Sequence, residues 1–153
     1  YIQVNGMEGT VEDIQIRATY LRSTDGRRIV IPNATVYISP VTVNTAYAQR
    51  RCEFTVGIGY DDDIEKAKQV ISNILEQNER VLKTPKYHIY VATLADFSVN
   101  ITVRWWINTQ ELLIVEAVSE IQTLVKNAFD AHDINIPYPV QTSININEKK
   151  LVD

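Results

Sequence analysis

Apolar and polar positions alternate with period two through most of the first sixty residues. The pattern then turns helical, alternates again, and ends on a second helical stretch. Ile14, Ile16, Ala18 and Tyr20 alternate with Gln15, Arg17 and Thr19, the spacing of a half-buried strand. Asp25-Gly26 supplies a dipeptide suited to the positive φ angles of a tight hairpin turn. The chain returns as Arg28-Ile29-Val30-Ile31, and Pro32 stops it because proline has no N–H to give a ladder. The run 10–33 therefore reads as one β-hairpin with a long first strand. Ahead of it, Tyr1–Val4 reads as a strand, with Gly6 and Gly9 bracketing the turn into the next. After Asn33, β-rich pieces are expected around Thr35–Ile38 and Val41–Tyr47, parted by Pro40.

From Arg51 the alternation is clean. Cys52, Phe54, Val56, Ile58 and Tyr60 face one way, and Arg51, Glu53, Thr55, Gly57 and Gly59 the other. Asp61-Asp62-Asp63 marks a helix start, because carboxylates satisfy the free N–H groups and favour the positive end of the dipole. Ile64, Ala67, Val70, Ile71, Ile74 and Leu75 then recur at helical spacing. Two strands follow, Tyr87–Leu94 and Ser98–Ile107, the second with Val99, Ile101, Val103 and Trp105 on one face. Asn108-Thr109 caps a second helix with Glu111 in its first turn. Its apolar face runs through Leu113, Ala117, Ile121, Leu124, Val125, Ala128 and Phe129. Pro137-Tyr138-Pro139 leads to a last strand, Thr142–Asn147. The order β-α-β-β-α-β predicts a ferredoxin-like α+β sandwich. The expected domains are thus a β-domain over 1–51 and this α/β domain over 52–153.

Composition narrows the function classes. At 153 residues, 45% apolar and 22% charged, the chain is an ordinary globular one. A net charge of −4 speaks against a nucleic-acid binder, which is typically basic. The charge is uneven. Residues 1–60 carry six arginines and five acids, whereas 61–153 carry nine basic and fourteen acidic residues. Cys52 is the only cysteine, so an intrachain disulfide or a thiolate metal site is excluded. The longest uncharged stretch, Ile29–Gln49, holds Pro32, Pro40 and many β-branched residues, and reads as strands rather than a membrane helix. The sequence opens without Met inside a strand pattern, and we take it for part of something longer.

Several ordered motifs resemble the small-conductance mechanosensitive channel family. Gly9, Val11, Glu12, Ile14, Ile16, Arg17, Thr19, Arg22, Asp25, Gly26, Ile29, Ile31, Pro32 and Asn33 match its strand–turn–strand pattern G-x-V-E-x-I-x-[IL]-R-x-T-x-x-R followed by D-G-x-x-[IV]-x-[IV]-P-N. Ile58-Gly59-Tyr60-Asp61-Asp62-Asp63 looks like its V-x-Y-x-[ST]-D. Val103-Arg104-Trp105-Trp106 is similar to its V-R-x-W strand, and Ile134-Asn135-Ile136-Pro137-Tyr138-Pro139 to its G-I-x-[FI]-P-[FY]-P signature. Asp133 stands where the family often has a glycine in left-handed conformation, which Asp tolerates. Val140 stands where it usually has Gln or His. The resemblance implies a small Sm-like β-domain followed by the ferredoxin-like domain, a homoheptamer, and a vestibule with side portals on the cytoplasmic side of the inner membrane. Ions and small osmolytes would pass when membrane tension rises. It implies no cofactor, no nucleic acid and no bond-making chemistry. Arg50, Arg51 and Glu53, charged residues at the junction of the domains, are candidate portal or vestibule lining.

The other chemistry in the chain has plain structural readings. The Asp61-Asp62-Asp63 run lacks the alternate acids, central Gly and distal Glu of a calcium loop. His88 and His132 have no ligand spacing, and Cys52 sits on an apolar face as a buried thiol. Trp105 and Trp106, adjacent in a strand, face opposite ways and cannot form one stacking platform. Arg17, Arg22, Arg27, Arg28, Arg50 and Arg51 read either as solvated edges or as a rim that meets neighbours, anionic headgroups or passing ions. An Sm-type RNA-binding module fused to a ferredoxin-like domain is the alternative from another class, and a small-molecule regulatory domain a third. The acidic second half and the missing aromatic RNP motif oppose the RNA reading.

Overall fold

A computed structural model describes residues 1–109 and 114–139. The chain divides into two compact units, Tyr1–Arg50 and Arg51–Asp153.

The first unit is a five-stranded antiparallel sheet with one short helix. Its strands are β1 (Ile2–Val4), β2 (Met7–Ile14), β3 (Ala18–Arg22), β4 (Arg28–Pro32) and β5 (Val41–Val43), in the order β4-β3-β2-β1-β5. The turn into β2 is the two-residue pair Asn5-Gly6, with φ of 48° and 77°. Two consecutive positive φ angles are what a tight hairpin with the strands' own twist requires. Gly9 is not part of that turn. It lies in β2 opposite Ile2, where a Cβ would meet the Arg22 carbonyl oxygen at 2.6 Å.

The long strand expected across 10–22 is two strands. β2 ends at Ile14, the chain turns over Gln15-Ile16-Arg17, and β3 returns antiparallel with Val11 opposite Leu21 and Ile14 opposite Thr19, past a bulge. Asn33 fixes that turn. Its Nδ2 donates to the carbonyls of Gln15 (2.7 Å) and Ile16 (3.2 Å), its N–H to that of Arg17 (2.9 Å), and its Oδ1 accepts from the buried Thr19 hydroxyl (2.8 Å). At the next turn only Gly26 has positive φ, at 85°; Asp25 does not. The Gly26 N–H bonds back to Ser23 O, and Ser23 N–H to Arg27 O, so three residues close the loop with glycine in the left-handed region.

The strand expected at Thr35–Ile38 is instead the helix α1 (Asn33–Ile38), and β5 covers only Val41–Val43. The β-branched content favoured extension there, but Pro32 ends β4, Val36 packs on the core of the unit, and Ser39 N–H closes the turn on Thr35 O. That core is small: Val4, Leu21 and Ile31 are fully buried, with Ile2, Met7, Val11, Ile29 and Val36 around them.

The second unit has a sheet of β6 (Gln49–Ile58), β8 (Val99–Asn108) and β7 (His88–Leu94), in the order β6-β8-β7, and the helices α2 (Ile64–Gln77) and α3 (Ile114–Ala131). The expected last strand, 142–147, lies outside the described residues, as do Glu111 and Leu113. One continuous core holds Cys52, Phe54 and Ile58 from β6, Ile101, Val103 and Trp105 from β8, and Ile71, Leu75, Ile121 and Phe129 from the helices. Phe54 meets Trp105 edge-on at 5.7 Å between ring centroids.

The start of α2 and the end of α3 are each set by an aspartate. Asp63 caps α2, accepting from the N–H groups of Glu65 (2.9 Å) and Lys66 (3.1 Å). Asp133, at φ 55°, ends α3 in the left-handed region, and Ile134 N–H reaches back to Phe129 O at 2.9 Å. That six-to-one bond is the Schellman pattern.

Candidate functional site

Strand alternation puts the apolar side chains of the second unit against its helices and leaves the other face of the sheet polar. Arg104 lies on that polar face, opposite His88 in the β7–β8 register, as Thr102 lies opposite Tyr90. Thr55 and Thr102 join β6 to β8 there, their hydroxyls 2.9 Å apart. The charged centre of the face is Glu53. Its Oε2 accepts from Arg104 Nε in a short ion pair, and Arg51 Nη2 stands 4.0 Å from the same oxygen. The Arg104 guanidinium also lies 5.2 Å above the Tyr90 ring.

This arrangement sets the local charge. The hydrogen bond from Arg104 holds the Glu53 carboxyl below the usual carboxylate range, with the charges of Arg104 and Arg51 adding to it. The same bond raises Arg104 above the ordinary guanidinium range. Two cations surround one carboxylate, so the cluster is net positive although it is centred on an acid. Such a group acts electrostatically on nearby ions, and its effect fades over about 8 Å at physiological salt.

Of the three candidate lining residues, the structure brings Arg51 and Glu53 into one ion-pair cluster. Arg50 is half-buried at the end of the first unit and has no ion pair among the described residues. Arg104 and Tyr90 complete the cluster. Arg104 was visible in the sequence only as part of the V-R-x-W motif, and Tyr90 not at all. The signal was present: two antiparallel strands, each with a polar residue on the face opposite its apolar run.

The motif residues have local structural work. Gly9 permits close strand approach and Gly26 the hairpin loop, while Pro32 and Asn33 end β4 and hold the 15–17 turn. Tyr60 donates to Ala95 O at 2.6 Å. Asp61 is exposed, and its neighbour Asp62 is the busier acid, one Oδ2 accepting from Gly59 N–H (2.9 Å) and Asn135 N–H (3.1 Å). Gly59 N–H also bonds to Asn135 O (3.0 Å), so the segment bearing Pro137 and Pro139 is tied to the start of α2. Trp105 is fully buried and Trp106 half-buried, on opposite faces. Among the described residues no group of His, Cys, Asp and Glu is placed to hold a metal, and no helix is long and apolar enough to cross a membrane.

A β-module followed by this α+β unit defines a class. Residues 1–44 match the family model described as the β-domain of mechanosensitive ion channels, and residues 52–136 the model for the C-terminal part of the mechanosensitive ion channel MscS. The chain belongs to the MscS family of mechanosensitive channels. It is 37% identical over 147 residues to an uncharacterized MscS family protein of Archaeoglobus fulgidus, covering 96% of this chain and 51% of the other. To a small-conductance mechanosensitive channel of Helicobacter pylori it is 34% identical, covering 90% of this chain and 50% of that one. The crystal structure of Helicobacter pylori MscS in a closed state superposes with a TM-score of 0.89 at 32% identity, over 95% of this chain and 58% of that chain. The chain thus spans about half the length of the curated relatives it matches.

Proposed function

We propose that this chain forms the cytoplasmic vestibule of a mechanosensitive channel subunit in the inner membrane. The observation that carries the reading is the match of both units, in order and over nearly the whole chain, to one closed channel structure. In this reading residues 1–51 form the β-domain and 52–153 the α/β domain. Seven copies assemble into a ring, and the full protein passes ions and small osmolytes when tension rises. The family is one of channels rather than enzymes. An RNA-binding role is not favoured, given the acidic second half and a polar sheet face on which Arg51 and Arg104 both stand against Glu53.

In this reading Arg50, Arg51 and Glu53 line a portal or the vestibule, where a fixed charge selects among passing ions. The deciding experiment is a patch recording on the full-length protein in lipid vesicles while suction is stepped. Steps of current that open with suction are expected. Assembled, membrane-inserted protein that stays silent up to patch rupture would overturn the reading.

A further inference from the structure

The chain holds one Asn-Gly pair, Asn5-Gly6, and one Asp-Gly pair, Asp25-Gly26, each in a hairpin loop of the first unit. Both pairs are open to the same backbone reaction, because glycine has no Cβ to shield its nitrogen from the preceding side chain. The two nitrogens are held differently. Gly26 N–H donates to Ser23 O at 3.0 Å. Gly6 lies beyond the last β1–β2 pair, Val4 with Met7, and its N–H makes no hydrogen bond among the described residues.

The side chains that would be attacked differ as well. The Asp25 carboxylate accepts from Ser23 Oγ and stands 2.6 Å from Arg27 Nη2, which favours the ionised form, a poor target for a nucleophile. Asn5 instead carries a neutral amide whose nitrogen can leave as ammonia. It is exposed, and among the described residues its side chain is restrained by a single bond, from Nδ2 to Ser39 Oγ at 3.0 Å. Nothing lies within 4 Å of the place a Cβ on Gly6 would take, so water reaches the peptide from that side.

From this contrast we propose that Asn5 is a site of spontaneous deamidation, and that the Asp25-Gly26 pair is protected from the equivalent isomerisation. Hydroxide removes the Gly6 amide proton, and the nitrogen attacks Asn5 Cγ. The new N–Cγ bond closes a succinimide ring while the Cγ–Nδ2 bond breaks and ammonia departs with a proton from water. One water then opens the ring. Cleavage between nitrogen and Cγ leaves an ordinary aspartate. Cleavage between nitrogen and the backbone carbonyl carbon leaves isoaspartate, with the main chain rerouted through Cγ.

The two products act differently on the fold. An ordinary aspartate accepts from the Ser39 hydroxyl and keeps the loop as it is. Isoaspartate puts an extra methylene into a two-residue loop that sets the pairing of Val4 with Met7, and Val4 is one of the three fully buried side chains of the unit. Ageing therefore adds a charge at this turn and, in the isoaspartate fraction, loosens the first unit.

The test incubates the full-length protein at mildly alkaline pH in heavy-oxygen water, beside a sample held in denaturant, and maps the peptides by mass. Native Asn5 is expected to convert within about fivefold of its denatured rate and to take up heavy oxygen, while isoaspartate at Asp25 forms more than about tenfold slower than in denaturant. An Asn5 amide that survives in the folded protein while the denatured sample converts would overturn the proposal. So would isoaspartate at Asp25 appearing as fast as at Asn5, because the free and the bonded nitrogen would then be equivalent. Melting separates the products: Asn5→Asp should melt with the fresh protein, and the isoaspartate fraction below both. Equal melting of all three would overturn the loosening of the unit.

Discussion

Two glycines in the first unit are needed for different reasons, and substitution separates them. At Gly9 the obstacle is space, since a Cβ would meet Arg22 backbone at 2.6 Å and 2.8 Å. Gly9→Ala should therefore cost about 1–3 kcal/mol through forced strand separation. At Gly26 nothing lies within 4 Å, and the obstacle is φ of 85°. Gly26→Val should cost about 1–2 kcal/mol, whereas Gly26→Asn should cost far less because Asn tolerates that region. Denaturant melts of the three variants check this. In the full-length protein, Gly26→Val should lower the number of channels and leave single-channel conductance unchanged. Beside that glycine, hydrogen bonds from Arg27, then from Ser23, lower the Asp25 carboxyl to about 2. A depressed carboxylate adds stability that is present above its ordinary value near 3.9 and is lost as pH falls toward 2. The Asp25 carboxyl signal, followed by NMR, should titrate near 2 and move up toward 4 in Arg27→Ala.

At the scale of elements, the described part of the second unit was legible almost throughout. β7, β8 and α2 stand within a residue or two of their periodic patterns, because each buries one face on a large core. Asp63 was legible only as one of three acids, and its two bonds single it out as the cap. Asp63→Ala should cost about 1 kcal/mol, more than Asp61→Ala, in a thermal melt. The first unit was harder to read. Alternation continues through Ile14, Gln15 and Ile16 although the strand ends at Ile14, so period alone predicted burial for two isoleucines that are exposed. What breaks the strand is Asn33, eighteen residues from Gln15, and no local pattern carries that bond. The Asn5-Gly6 pair was a plain hairpin signal that the glycine bracketing of 6 and 9 obscured. Likewise Thr35, Val36 and Ile38 are strand formers bent into a helix by the proline before them and the core beneath Val36.

For the whole molecule, the family was legible from ordered motifs, but the charged site was not. Glu53 was visible as an acid at a domain junction, and its neutralisation by Arg104, fifty-one residues away, was not. That pairing changes the expected effect of substitution. Glu53→Lys removes the only anion among three charges and leaves three cations together. In the proposed channel the reversal potential should shift toward anion preference, and more at low ionic strength, where the screening length grows to about 30 Å. An unchanged potential at both salt levels would remove Glu53 from the permeation route. The three fully buried side chains of the first unit make a core too small to stand without support. Native mass spectrometry of the chain should accordingly find rings of seven, in equilibrium with monomer, and a stable dimer alone would count against the proposed assembly.

In the second unit, Asp62 is where a load applied to the far end of the chain would be borne. A pull on the backbone beyond Pro139 meets the bonds from Asp62 and Gly59 to Asn135, and the buried Ile134, before it reaches the last turn of α3. Those bonds fasten the strap to the corner between β6 and α2 instead of leaving the helix to unwind. Asp62→Ala should then lower the force at which the strap peels away in a single-molecule pulling trace, with the later rupture of the core unchanged. The corner acts as an anchor point, and one carboxylate is its rivet.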